Sequence, residues 1–363
     1  MGLFTDPFIN WKRVRNYGII AAIVWALTIF LLVDEYAPSP KRVVLVVIDG
    51  LRPDAIKALD PARAPHLAYL INHGASTMNA RTDLRSTETL PNIVSILTGR
   101  PVADTAAAHK YLINAYTGYS IHDYIDQYVD SVFDVTHEAG RRASFFASKD
   151  KLGVFVKSYN SSRFVGERLK SGQDPARIQS YVITYYDDKK TLLSFLNELV
   201  YQDSSFMFLH LAGPDRVGHR EGWDVRTDSA YMKEVERMDG FLGEILKTVK
   251  KYRRLRNKVY LIVTTDHGGN GNVHSDIYDR LNYTIPFIVW GPDIARGADL
   301  YKLNKGVRRE PGTYMIDYQT PTQPIRNSEA GNLALQLLEL PAIPNSVING
   351  LQSLRVKAAT GKP

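Results

Sequence analysis

Three aspartates and three histidines stand just past runs of apolar residues, and their types suit a divalent-metal centre. Arg42–Ile48 (RVVLVVI) runs into Asp49, and Ser205–Leu211 (SFMFLHL) runs into Gly-Pro-Asp215, with His219 four residues on. Val259–Thr265 (VYLIVTT) runs into Asp266 and His267, with His274 seven residues later. Mixed carboxylate and imidazole donors suit Zn²⁺ and, less tightly, Mn²⁺, Fe²⁺ or Co²⁺, whereas all-oxygen sites favour Mg²⁺ or Ca²⁺. Any one of these residues alone reads as a cap, a turn or a hydrogen-bonding core group. Their joint occurrence after three strand-like runs is what points to metal. Two divalent ions about 4 Å apart clamp the attacking and leaving oxygens of an in-line phosphoryl transfer. Such a site needs a nucleophile, and Thr89 is the candidate, two residues before Pro91 at an expected helix start. Free backbone N–H groups and the helix dipole favour negative charge there. Read blandly, Thr89 is an N-cap. Asn92, three residues on, carries an amide able to donate to a phosphoryl oxygen.

For these groups to meet, the runs must be neighbouring strands of one sheet. Continuous apolar runs suit strands covered on both faces, as in parallel sheets, and ligands collect beyond the carboxyl ends of such strands. The expected fold is α/β: a doubly wound, mostly parallel sheet with helices on both faces. Helices are expected over Ala64–His73, from Pro91 to a stop at Gly99, over Val132–Ala139, 175–200, Arg226–Lys250 and Ala330–Leu340, with a further strand at Ala143–Ala147. Residues 104–130 read as an insertion at the site mouth and 306–330 as loop. Asp215 and His219 fall one helical turn apart, on one face.

The chain has 363 residues, 44% of them hydrophobic, enough for one large domain, and ligands from position 49 to position 274 forbid a cut between them. The absence of cysteine excludes disulfides, thiolate zinc sites and cysteine nucleophiles. A net charge of +7 is modest, and its main cluster, Lys247–Lys258 (KTVKKYRRLRNK), reads as a solvated helix face, so no nucleic-acid binding is expected. Tyr17–Val33 carries no charge over 17 residues, with Lys12, Arg13 and Arg15 before it and Asp34 and Glu35 after it. That asymmetry reads as an uncleaved signal anchor rather than a signal peptide or a core helix. The expected organisation is a cytoplasmic tail at 1–16, a membrane span at 17–33, a linker at 34–41 and a catalytic domain at 42–363. The domain would lie on the extracytoplasmic side, periplasmic or extracellular/lumenal.

The set V-V-I-Asp49-Gly, Thr89-Leu-Pro-Asn92, Gly-Pro-Asp215-Arg-Val-Gly-His219, Thr-Asp266-His267-Gly-Gly and Val-His274-Ser resembles the alkaline phosphatase superfamily. Within it, the resemblance is to the type I phosphodiesterase/nucleotide pyrophosphatase branch, across roughly residues 42–350. It implies two Zn²⁺ per chain, other divalent transition metals being possible. Asp215, His219 and His274 would hold one, and Asp49, Asp266 and His267 the other. Thr89 would bridge them as nucleophile and Asn92 would orient the phosphoryl group. Leu90-Pro91-Asn92 stands where many relatives have Phe-Pro-Asn, and only six residues separate His267 from His274. That spacing is closer to ethanolamine-phosphate transferases and phosphonoacetate hydrolases. The sulfatase branch is disfavoured, because Ser86 lacks the C/S-x-P-x-R context.

The expected reaction is attack of Thr89 on phosphorus, release of an alcohol, and hydrolysis of the phospho-threonine. The expected substrate is a small-molecule phosphodiester or pyrophosphate, including a lipid head group, since an uncharged Asn92 suits a monoanion. Arg85 and Lys149 are the cations whose arrival at the phosphate would change that argument, and Lys149 reads as an exposed turn residue. The alternatives are a phosphoethanolamine-type transferase acting on lipid or glycan, and an inactive metal-binding protein. Oligomeric state is not legible.

Overall fold

Val43–Ile48 alternate between two faces, and both faces are covered. Val43, Leu45 and Val47 belong to one buried cluster and Val44, Val46 and Ile48 to a second. This is β1 (Arg42–Ile48), buried throughout and central in the sheet. Truncating Leu45 to alanine would cost about 2–5 kcal/mol, the range for a large aliphatic side chain in a packed core. Arg42 tolerates burial because its guanidinium donates to the Leu199 and Gln202 carbonyls at 3.1 and 2.6 Å.

The computed structural model describes Trp25, residues 40–161 and residues 176–358. The tail at 1–16 and, Trp25 apart, the expected span Tyr17–Val33 lie outside the described residues. Among the described residues no helix is long and apolar enough to cross a membrane.

The remaining strands are β2 (Ala75–Arg81), β3 (Ala143–Ala147), β4 (Ser180–Ile183), β5 (Phe206–Leu211), β6 (Val259–Thr264), β7 (Thr284–Trp290) and β8 (Ala298–Asp299), in the order β4-β3-β5-β1-β6-β7-β2-β8. The pairings are parallel except those of β7 with β6 and with β2. The sheet is therefore mixed and mostly parallel, as expected. Strands β2, β4, β7 and β8 lie outside the set expected from sequence.

The main helices are α1 (Pro65–His73), α2 (Thr89–Thr98), α3 (Val132–Glu138), α4 (Asp188–Tyr201), α5 (Gly213–Glu221), α6 (Ala230–Lys251) and α7 (Ala330–Leu337). Helices α2, α3 and α7 pack on the Val43 face, and α1, α4 and α6 on the Val44 face. Every residue of α2 is buried, and it stops at Gly99, whose left-handed φ of 63° a β-carbon would disfavour. Several boundaries differ from expectation: the helix expected over Arg226–Lys250 is Ala230–Lys251, and that over Ala330–Leu340 ends at Leu337. Helix α2 begins at Thr89, so Pro91 is its third residue rather than its first. The stretch 175–200 is not one helix: Ser180–Ile183 pairs with β3, Tyr186 turns the chain at φ 52°, and Asp187 caps α4 through Lys190 N. The β-branched and aromatic residues of Tyr-Val-Ile found a strand edge there, which outweighed the helical period.

Candidate functional site

The parallel strands end at one edge, and the turns beyond them carry the chemistry. The two leading turns are tied by backbone bonds from Asp49 N to Leu211 O (2.9 Å) and from Asp215 N to Asp49 O (3.0 Å). Gly50 follows at φ 71°, and a β-carbon there would lie 3.1 Å from the Asp215 Cα, so glycine allows these turns to close. Trp223 packs behind them, its indole N–H donating to Gly50 O at 3.0 Å.

The three carboxylates share a pattern: one oxygen is held and the other left open. Asp49 Oδ2 accepts from Lys149 Nζ at 2.6 Å and lies 3.1 Å from His210 Nε2. Asp215 Oδ2 accepts from Lys149 Nζ at 2.7 Å. Asp266 Oδ1 faces the Thr265 hydroxyl, His267 N and Gly50 N at 3.1, 3.1 and 3.4 Å. The opposite oxygens, Asp49 Oδ1, Asp215 Oδ1 and Asp266 Oδ2, are buried and accept no hydrogen bond among the described residues.

The histidines face those open oxygens. His267 Nε2 lies 3.3 Å from Asp49 Oδ1 and 3.4 Å from Asp266 Oδ2. His219 Nε2 and His274 Nε2 lie 3.4 and 3.7 Å from Asp215 Oδ1. Each ring's Nδ1 is beside a backbone carbonyl: Gly268 O at 2.7 Å, Asn272 O at 3.0 Å and Thr87 O at 2.7 Å. A neutral ring donating from Nδ1 leaves a lone pair on Nε2, pointed at an oxygen that also has no proton. Acceptors facing acceptors call for a cation, and a backbone partner on the far nitrogen is how metal-binding histidines are oriented. Two sets place their donor atoms close together: Asp215, His267 and His274, and Asp49, Asp266 and His267. His267 reaches both, with its ring stacked 3.6 Å from that of His274. His219 stands at the rim, 47% exposed. The donor set fits divalent metal.

Charge placement follows. Burial alone would raise Asp49, but Lys149, with His210 and His267 beside it, holds it well below the usual carboxylate range. Asp266, with weaker compensation for its burial and Asp49 beside it, is raised. Without a cation between them, Asp266 and Asp49 outweigh burial and hold the His267 ring at about 9, a proton that a bound metal would displace, while burial and His267 push His274 down to about 3.

Thr89 is fully buried at the first position of α2, its Oγ1 3.4 Å from His267 Nε2 and 3.3 Å from Lys149 Nζ. Its side chain caps nothing here. The Leu90 amide is instead satisfied by Asn114 Oδ1 at 3.0 Å, from the 104–130 segment. Asn92 is placed differently from its expected role. Its Nδ2 donates to Ser86 O and Glu88 O at 2.8 and 3.1 Å, and its Oδ1 accepts from Asp83 N and Asn327 Nδ2 at 3.0 and 3.2 Å. In this arrangement both amide protons are committed to the loop that carries Thr89.

Lys149 is the clearest correction. It is 4% exposed, not a surface turn residue, and burial is outweighed by Asp49 and Asp215, so its ammonium is held protonated far above neutral pH. Treating β3 like the other strands, with chemistry beyond its carboxyl end, would have found it. His210 was also missed, although a histidine in a strand buried on both faces is itself a signal. Asn114 and Lys151, which donates to Asn114 Oδ1 at 2.7 Å, carried no local signal. Arg85 is exposed and pairs with Asp104.

The fold resembles solved structures at low sequence identity. Murine ectonucleotide pyrophosphatase/phosphodiesterase 5 superposes with a TM-score of 0.58 at 16% identity, over 86% of this chain and all of that one. A protein of the alkaline phosphatase superfamily from Vibrio parahaemolyticus gives 0.55 at 15% identity, over 88% of this chain and 71% of that one. Human GPI ethanolamine phosphate transferase 1 is 26% identical over 307 residues, covering 79% of this chain. The chain spans only 30% of that relative's length. The profile of the type I phosphodiesterase/nucleotide pyrophosphatase family matches residues 43–287, from β1 through the turns that carry the aspartates and histidines into β7. The chain therefore belongs to the type I phosphodiesterase/nucleotide pyrophosphatase family.

Proposed function

We propose that this chain is a metal-dependent phosphodiesterase or pyrophosphatase that works through a covalent phospho-Thr89 intermediate. It would be anchored by Tyr17–Val33, with residues 42–363 as its catalytic domain on the extracytoplasmic side. The observation that carries the reading is the buried Thr89 hydroxyl beside His267 and Lys149, at the meeting of the two donor sets. Asp49, Asp266 and His267 would hold one zinc ion and Asp215, His219 and His274 a second, with Thr89 shared between them, and the ions would supply Lewis acidity toward the Thr89 hydroxyl and the reacting phosphoryl oxygens.

The chain's own groups do the rest. Thr89 Oγ forms a bond to phosphorus as the bond to the leaving alcohol breaks, and that alcohol takes up a proton. Water then attacks the same phosphorus, the Oγ–P bond breaks, and the hydroxyl is restored. Lys149, held protonated, is no base at neutral pH. It is a fixed positive charge beside the oxygen that turns anionic. Asn92 positions the Thr89 loop. Three carboxylates set against Lys149 and two divalent ions leave two positive charges, and the Thr89 alkoxide opposes one. The charge remaining matches the single negative charge of a diester better than a dianionic monoester.

Thr89→Ala should keep its metal and its melting temperature yet lose most turnover, and Thr89→Ser should recover part of it. Rapid quenching with a ³²P-labelled diester should trap label on the wild type and none on Thr89→Ala. A well-folded alanine variant near the wild-type rate would overturn the reading. A second reading, transfer of the phosphoryl-alcohol unit to an alcohol on lipid or glycan, is favoured by the similarity to an ethanolamine phosphate transferase across 79% of the chain. It shares the labelled intermediate and differs in the second step. Product release unaffected by an added lipid or glycan alcohol supports the hydrolase, and label appearing on that alcohol supports the transferase.

A further inference from the structure

The basic run Lys247–Lys258 lies at the sheet edge opposite Thr89. It closes α6 and leads into β6, whose first residue, Val259, pairs with Arg42 at the start of β1. Lys247, Lys250, Lys251, Arg254 and Arg256 are exposed there, and Arg296, past the end of β7, joins them. Cations in a last helical turn also offset the helix dipole, but Arg254, Arg256 and Arg296 lie outside α6. Arg256 is held in place, its Nε donating to Lys250 O at 2.6 Å. Nearby acidic groups are already taken: Glu339 by Lys41 at 2.5 Å, Asp203 by Arg142 at 3.2 Å and Asp293 by Lys357 at 2.8 Å. A cavity of about 810 Å³ opens on this edge, walled by Tyr69 and Trp290 beside Lys250, Arg256 and Arg296. Lys250 Nζ sits 4.1 Å over the Tyr69 ring. Amphipathic aromatic rings beside lysine and arginine are what membrane–water interfaces select.

We propose that this edge docks on the anionic phospholipid surface of the membrane that holds Tyr17–Val33, an inference that rests on the anchor reading. The chain enters the catalytic domain at Lys41, on this edge. The seven residues 34–40 that precede it reach at most about 25 Å fully extended. The tether and the excess positive charge therefore act on the same face. Strands of six or seven residues, at about 3.3 Å each, put Thr89 about 20 Å further from the lipid. The site then faces away from its own leaflet and draws its phosphodiester from the aqueous side.

The test uses the full chain in nanodiscs, either neutral phosphatidylcholine or 30% phosphatidylglycerol. The chain has no cysteine, so Ala358→Cys on this edge and Tyr278→Cys in the loop after His274 can each carry a single fluorophore. A headgroup-attached quencher should quench the Ala358→Cys label in anionic discs and much less in neutral ones, and leave the Tyr278→Cys label bright in both. Reversal of Lys250, Lys251, Arg254 and Arg256 to Glu should abolish the anionic effect, each cation accounting for about fivefold in surface association. Turnover of a soluble diester, unchanged by the reversal, shows that the variant is folded. Equal quenching in both disc types, quenching of the Tyr278→Cys label, or no response to reversal overturns the proposal. If the chain does not stay in discs, the anchor reading falls, and co-sedimentation with vesicles decides the surface alone. Pelleting with anionic but not neutral vesicles supports it. No pelleting, or binding to heparin without vesicle binding, overturns it.

Discussion

Replacing Lys149 with methionine removes the ammonium that the fold places between two of the carboxylates. Its Nζ stands 2.6 Å from Asp49 Oδ2 and 2.7 Å from Asp215 Oδ2, and the residue is 4% exposed. Removing one partner of a buried ion pair costs about 3–5 kcal/mol, because the remaining charge is left uncompensated. For a domain of this size that lowers the melting temperature by about 4–7 °C in excess chelator. Zinc should reverse the order of effects. With the ammonium gone, repulsion on an incoming divalent ion falls, and affinity should tighten by more than about a hundredfold, since a single and a double charge about 5 Å apart repel by about 6–7 kcal/mol at an effective dielectric near 20. The melting gap between variant and wild type should then close as zinc is added. Turnover at saturating zinc should still fall by about 10²–10³, the usual effect of losing one charge stabiliser beside a reacting oxygen. Differential scanning fluorimetry across a zinc titration, with a competing chelator dye for affinity, measures both quantities. Equal melting in chelator together with unchanged zinc affinity would refute the assignment of Lys149 as counter-ion to Asp49 and Asp215.

Exhaustive chelation should abolish turnover, and re-addition should restore it as metal content approaches about two per chain by elemental analysis; full activity in metal-free protein would contradict the donor assignment. A nitrophenyl diester should be turned over with a higher kcat/KM than the matching monoester, and the reverse order would undo the charge argument. Asn114→Ala should cost about 1 kcal/mol, as the loss of a helix-start partner does, and lower kcat more than that stability loss explains; an unchanged kcat would make Asn114 a cap alone. His109 accepts from Tyr111 N at 3.0 Å through Nδ1 and faces Ser95 Oγ at 3.0 Å through Nε2, and burial lowers it from 6.5 to about 3. Between those values the unfolded chain binds a proton that the native state does not. Stability from this residue is full above pH 6.5 and declines by up to about 1.4 kcal/mol per unit as pH falls toward 3. Urea titrations at stepped pH should show that slope flattened in His109→Gln.

What was legible in the sequence followed from strong local rules. Runs such as RVVLVVI announce doubly covered strands, and Asp49, Asp215, Asp266 and His267 follow from where such strands end. Gly99 marked the end of α2 because only a left-handed residue closes the helix there. Strand β4 was hidden because its four residues pair with a single strand among the described residues and precede a helix whose period dominates the window. Lys149 was misread for a similar reason. A lysine between a strand and a turn is normally solvated, and only the convergence of turns 100 and 66 residues away gives it two carboxylates. The engagement of Asn92 with Asp83 and Asn327 likewise depends on contacts that no local pattern encodes, the second spanning 235 positions.

The central position of β1 also governs how the chain comes to be folded. Val43 pairs with Phe206 and Tyr260, so its two neighbours emerge 163 and 217 residues after it. At synthesis rates of roughly 5–20 residues per second, β1 waits about 8–30 s for its first partner. During that interval a flat, apolar strand with both edges open is the segment most exposed to pairing with another chain. Productive folding of this protein is therefore a race set by contact order, and chaperone demand should peak between the synthesis of β1 and that of β5. Shortening the intervening 104–130 segment should shorten that interval and raise soluble yield, at the cost of Asn114 and the mouth of the site.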